Sequence, residues 1–306
     1  MRIVSLLPSA TEMLCALGLD DQLVGISHGC DYPESISGLP RVTSTAIPKD
    51  ASSLEIDRLV RERHAAGLPL YELDHALLKR LDPQLLVSQG LCDVCAVATD
   101  QARAAIDEAC IRAEVISLAP TTLSDVLANI LELGAATGTL GRAQELVGEL
   151  EERVERVRRR VEGRARPRVT LLEWVDPPYA AGHWTPELVT LAGGQEGHGR
   201  PGARSRRMEW QEVLDWQPEV LMIACCGLDL SRSAVEVQRV RELPGFGRLP
   251  CAAAGRLFVL DGQAYVSRPG PRLIESLELL AHLLHPEEFP DRPGRAAAMT
   301  LASFTT

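Results

Sequence analysis

Seven short apolar runs set the rhythm of this chain and limit what it can fold into more than any other feature. Ile3 to Leu7, Leu23 to Ser27, Leu85 to Ser88, Val115 to Leu118, Val169 to Trp174, Val220 to Ala224 and Leu257 to Leu260 are each followed by turn residues and then by apolar residues at helical spacing. Strands that alternate with helices pair in parallel, because each crossover helix carries the chain back to the same end of the sheet. The fold class is therefore α/β. A chain of 306 residues also exceeds the ~250–300 residues at which single cores tend to split, so two lobes are expected.

Internal echoes support two similar lobes. LKRLDPQLLVSQ (78–89) resembles VLDWQPEVLMIA (213–224), with Pro83 and Pro218 each ending a helix before a buried strand, and TEMLCALG (11–18) resembles PELVTLAGG (186–194). Ser9-Ala10-Thr11-Glu12 has capping-box spacing, and Gly18 supplies a helix stop. Between the halves, Leu146, Val147, Leu150, Val154, Val157 and Val161 recur at spacings of three and four, which puts them on one stripe of a single helix from Thr139 to Glu162. Glu149–Arg153 and Glu152–Arg156 would pair on its other face. The expectation is two Rossmann-like lobes with mainly parallel sheets joined by one long backbone helix: a lobe over 1–138, the helix over 139–163, a lobe over 164–290 and a tail over 291–306.

Composition excludes several classes. The formal charge of -10 disfavours nucleic acid, since the Arg-rich run from Arg153 to Arg168 is interleaved with glutamates. No apolar run reaches the ~18 residues of a spanning helix. The strand opening at Ile3 leaves no room for a signal peptide, and eight cysteines suit a reducing compartment, so the expected location is cytoplasmic, or extracytoplasmic if the native N-terminus is longer. Cys15, Cys110 and Cys251 read as small buried hydrophobes. A monomer is expected.

In parallel sheets, ligands sit beyond the carboxyl ends of the strands, so the segments there are the candidate site, facing a crevice between the lobes. Pro8-Ser9-Ala10-Thr11 follows the first strand and His28-Gly29-Cys30-Asp31-Tyr32-Pro33 the second. Cys92 and Cys95 follow the third, Cys225 and Cys226 the sixth, and Tyr265 the last. After the fifth comes EWVDPPYAAGHW (173–184), which fits no regular element. Its prolines and glycine would fix shape while Tyr179, His183 and Trp184 offer surface to a ligand. The cysteines read as ligand or chelate contacts, a dedicated metal site, a redox pair or structural residues. His28 and His183 are candidate axial ligands to cobalt or iron, against a plain hydrogen bond to neighbouring backbone.

SLLPSATEML, CDYPE, the backbone helix and EWVDPPYAAGHWTPELVTLAGG together resemble the cobalamin-binding, helical-backbone class of ABC-importer substrate-binding proteins, which also includes iron-siderophore and haem binders. The resemblance spans roughly residues 1 to 285. It implies two α/β lobes bridged by a rigid helix, a corrinoid or metal chelate as ligand with no obligatory cofactor, and an importer permease as partner. By position it carries over to Ser9, Thr11, Asp31, Tyr32, Pro33, Pro177, Pro178, Tyr179 and Tyr265.

Catalytic signatures are missing: no G-x-S-x-G, HExxH, P-loop or strand-linked G-x-G-x-x-G is present. A binding protein is the expectation. An intracellular corrinoid- or metal-handling enzyme using Cys92 and Cys95, and a thiol-dependent oxidoreductase, are the alternatives.

Overall fold

The computed structural model describes residues 1–48, 50–90, 97, 99–291 and 298–300. The chain divides into two compact units, Met1–Pro120 with Ser124–Gly148, and Thr121–Leu123 with the chain from Glu149 onward.

The first unit holds β1 (Ile3–Ser5), α1 (Pro8–Ala16), β2 (Leu23–Ile26), β3 (Thr43–Thr45), α2 (Ser53–Ala65), β4 (Tyr71–Leu73), α3 (His75–Leu81), β5 (Leu85–Gln89), α4 (Thr99–Ala109), β6 (Glu114–Leu118) and most of α5 (Leu123–Ala136). Its main sheet runs β2-β1-β5-β6, all parallel, and β3 and β4 form a separate antiparallel pair. The apolar runs are continuous because the central strands are covered on both faces; Ile3, Val4, Leu86 and Val87 are fully buried. Ala102, Ala105 and Ile106 of α4 pack on Val4, Leu6 and Leu86 as one core.

α6 (Leu140–Val161) is one unbroken helix, as the apolar stripe requires. Five of its six stripe residues are buried, Val154 being the partly exposed one. The Arg153 guanidinium makes a two-pronged pair with Glu278, at 2.7 and 2.9 Å.

The second unit follows with β7 (Arg168–Val175), β8 (Pro178–Ala180), α7 (Thr185–Leu191), β9 (Gln195–Glu196), β10 (Arg206–Arg207), α8 (Trp210–Trp216), β11 (Val220–Ile223), α9 (Leu230–Glu242), α10 (Pro250–Ala253), β12 (Leu257–Leu260), α11 (Leu273–Leu284) and β13 (Ala298–Thr300). β7, β11 and β12 are parallel; β8 and β10 extend one edge and β13 the other, all three antiparallel. Two expectations need correcting. Half of EWVDPPYAAGHW is regular, since β7 and β8 form a hairpin about a cis Asp176–Pro177 bond. The tail contributes a sheet strand.

The Ser9–Glu12 capping box does not form, because Pro8 starts α1 after Leu7 at the N-cap. Gly18 stops the helix at φ +76°, with its N–H and that of Leu19 donating to Cys15 and Leu14.

Candidate functional site

In the first unit, the loops after β1 and β2 are closed around a small polar core. Thr11 Oγ1 lies 2.9 Å from Ser5 Oγ and 3.1 Å from Cys30 Sγ, and Ser27 Oγ is 3.4 Å from the same sulfur. Arg41 donates to the carbonyls of Ser27 and Cys30. Ser9, Thr11 and Cys30 are buried, and the Thr11–Cys30 contact ties the two loops together. His28, Asp31 and Tyr32 are exposed, and Pro33 is half-buried. His28 Nδ1 is 2.7 Å from Thr43 Oγ1, and its ring leans on Tyr71 at 5.3 Å. Any metal role for His28 therefore falls to Nε2. Cys92 and Cys95 lie outside the described residues.

In the second unit, Pro178 and Tyr179 are half-buried on β8. Met208 N–H donates to Pro178 O and ties β8 to the segment after β10. Beyond β8 the backbone is clasped by the segment before β10. His183, in the left-handed region at φ +53°, donates its N–H to Ala203 O at 2.6 Å and accepts from Gly202 N–H at 2.9 Å. A Cβ on Gly182 would stand 2.2 Å from Ser205 N, so only glycine permits this approach.

Glu173, at the carboxyl end of β7, joins these pieces. Its carboxylate accepts from Gly182 N–H at 3.3 Å and from Ser205 Oγ. Burial raises its pKa to about 7, with Glu196 adding to the effect and the Ser205 and Gly182 bonds opposing it. Glu196 is also raised by burial, although His198 and Gly199 N–H groups hold one of its oxygens. His183 is lowered by burial and then by the charge of Arg204, and its Nδ1 is buried with no hydrogen-bond partner. His198, also lowered by burial, sits 3.0 Å from Thr170 Oγ1.

Trp184 departs most from expectation. It is only 5% exposed, stacks beside His183, and donates from Nε1 to Val266 O at 2.9 Å. It bolts the fifth loop to the turn Gly262–Val266 that carries Tyr265, so it is core rather than ligand surface. Cys225 is fully buried, with burial pushing its thiol well above the usual range, while Cys226 is exposed. Cys251 is buried as expected, but Cys15 is half-buried and Cys110 is exposed. Tyr265 is half-buried, with the Arg272 guanidinium 5.8 Å from its ring centre. Among the described residues no three His, Cys, Asp or Glu side chains are grouped to hold a metal ion. The carboxylates and Ser205 were missed because nothing in local spacing distinguishes them from solvated residues.

Two α/β units built this way, with loops gathered at the carboxyl ends of their strands, define the fold of a solute-binding protein. Residues 76–264 match the family described as Periplasmic binding protein, and the chain belongs to that family. A vitamin B12-binding protein of Yersinia pestis is 51% identical over 43 residues, which is 14% of this chain and spans only 15% of that relative. The periplasmic vitamin B12 binding protein of Vibrio cholerae has a similar structure, at TM-score 0.64 and 20% identity over 92% of this chain and 96% of that one. A periplasmic heme binding protein of Pseudomonas aeruginosa gives 0.69 and 21% over 93% and 92%. Membership makes the chain a binding protein of the periplasmic type. It also overturns the cytoplasmic placement, because the family is periplasmic. No helix among the described residues is long and apolar enough to cross a membrane.

Proposed function

We propose that the solute is a corrinoid of the cobalamin type, bound without chemical change. The observation that carries this reading is the 43-residue segment at 51% identity to a vitamin B12-binding protein. Tyr179 and Tyr265 of the second unit, neither of them buried, supply aromatic faces that suit a macrocycle. A second reading, a haem or iron chelate, is favoured by the likeness of the fold to a periplasmic heme binding protein. Titration of the purified chain with cyanocobalamin, haemin and a ferric catecholate, followed by absorbance, separates the readings. Stoichiometric binding of cyanocobalamin, recovered unaltered, is expected. Binding of haemin or the catecholate without cyanocobalamin overturns the corrinoid reading, and a chemically altered chelate overturns the non-catalytic one.

A further inference from the structure

Residues 199–205 lie across the second unit on hydrogen bonds rather than on apolar packing. None of their side chains is buried, and burial resumes only at Met208. Gly202 N–H donates to His183 O at 2.9 Å, and Ala203 O accepts from His183 N–H. The backbones come so close that a Cβ on Gly199 would collide with Ala181 O, as one on Gly182 would with Ser205 N. A segment held this way opens locally at a fraction of the cost of global unfolding. The sheet holds it through Glu173 at the end of β7, whose carboxylate accepts from Ser205 Oγ on one oxygen and from Gly182 N–H, at 3.3 Å, on the other.

The charges around Glu173 favour its neutral form. No Lys or Arg pairs with it among the described residues, and a buried carboxylate without a countercharge takes up a proton rather than stay ionised. Glu196, on the neighbouring β9, brings a second acid whose Oε2 is buried with no hydrogen-bond partner, and its charge opposes one on Glu173. His198 follows in the same segment, and His183 and Arg204 lie where residues 199–205 cross the hairpin. Tyr179 stands on β8, and Cys226 donates its N–H to Glu173 O. On α9, Glu236 and Asp176 both hold Arg239, which leaves it no part in the charge of Glu173. Lifting residues 199–205 would let water reach the carboxyl group and remove its preference for the proton.

We propose that residues 199–205 are a strap, latched by the protonated Glu173 carboxyl group and released when that group ionises, so that the loops of the second unit loosen as pH rises. The inference rests on the reading that these loops hold the solute, and it makes the proton-loaded form the one that holds it most firmly. A shut strap binds a proton that an open one sheds, so opening becomes easier from the ordinary carboxylate value of 4.5 up to about 7 and levels off above it. His183 and His198 act in the opposite sense, because burial disfavours their charged forms and acid would open the loops.

Amide hydrogen exchange of the whole chain, without solute, reads the opening directly. Protection of Gly182, His183 and Gly202, corrected for the intrinsic pH dependence of exchange, should fall at least about tenfold between pH 5 and 8. Leu221 and Met222 of the buried β11 should keep theirs. In E173Q, which cannot ionise, the fall should vanish. No fall in the native chain, an equal fall in E173Q, or a fall shared by Leu221 and Met222 overturns the latch. S205A serves where E173Q does not fold: loss of the hydroxyl should lower the protection of His183 and Gly202 several-fold at pH 5, and unchanged protection overturns the latch. Cyanocobalamin titrated at the same two pH values should bind several-fold more weakly at pH 8 to the native chain alone. Equal affinity at both overturns the coupling to the solute. If cyanocobalamin does not bind at all, the corrinoid reading fails while exchange still decides the latch.

Discussion

The two units repeat a scaffold and differ in what they hang on it. α3 and α8 each end in a left-handed residue, Asp82 at φ 42° and Gln217 at φ 53°, followed by a proline and a buried parallel strand. α1 and α7 each end on a left-handed glycine, with matching pairs of hydrogen bonds from Gly18 and Leu19 to Cys15 and Leu14, and from Gly193 and Gly194 to Thr190 and Val189. Yet the loop after β2 encloses hydroxyls and one thiol, whereas the loops after β7 gather Glu173, Glu196, His183 and His198. The repeat sets where strands end. Among the described residues, the carboxylates and histidines whose pKa is shifted all lie in the second unit.

The largest expected effect breaks this comparison at its aromatic residues. Trp184→Ala removes a buried indole and leaves Val266 O unpaired, and should cost about 3–5 kcal/mol. Tyr32→Ala, on an exposed loop of the first unit, should cost roughly 0.5 kcal/mol. Urea unfolding of both variants checks the contrast; near-equal costs would return Trp184 to the surface.

A second pair uses the shared glycine cap. Gly18→Ala meets no atom within 4 Å and should cost about 1 kcal/mol for its backbone alone. Gly193→Ala adds a Cβ 2.5 Å from His285 Nε2 and 2.9 Å from Val161 Cβ, so about 2–4 kcal/mol is expected. Equal losses would mean that α11 and the end of α6 yield freely at this point.

These contrasts show what local sequence can carry. All seven expected strands formed, because runs such as Val220–Ile223 are buried on both faces and must be apolar throughout. The long helix was equally plain, since its stripe repeats over six positions. β10 was not, because Arg206–Arg207 is a two-residue charged edge strand with no period to read. Trp184 was assigned to the surface because loops usually lie there. Its burial comes from Val266, 82 residues away. The raised pKa of Glu173 likewise comes from burial and then from Glu196, which only the folded chain brings about.

A smaller effect sharpens the electrostatic difference. Glu173 has its folded pKa raised from 4.5 to about 7, so its favourable contribution is complete below pH 4.5 and is lost as pH rises through about 7. Glu173→Gln should flatten the fall in melting temperature between pH 5 and 8, by on the order of 1 kcal/mol once partial exposure is allowed for. His183 and His198, lowered by burial, act in the opposite sense, losing stability as pH falls through their unfolded value of 6.5. Both proteins contain them, so the difference between native and variant isolates the carboxylate. An unchanged pH profile would show that Glu173 is charged in the native fold at all these pH values.

The smallest effect tests whether the repeated left-handed caps are energetically alike. A non-glycine residue in that region costs about 1–2 kcal/mol, and glycine returns part of this through the greater freedom of the unfolded chain. Asp82→Gly should therefore stabilise by roughly 0.5 kcal/mol. Gln217 has the same backbone but also donates from Nε2 to Leu214 O at 2.7 Å, a bond that glycine would remove. That loss is worth about 0.5–1 kcal/mol and should bring Gln217→Gly to near zero or slightly below. Paired urea midpoints, with unchanged slopes, resolve a difference of this size when the variants are run side by side. Equal stabilisation by both would mean that the Gln217 side chain contributes nothing to its cap, and that the two units share the device in energy as well as in geometry.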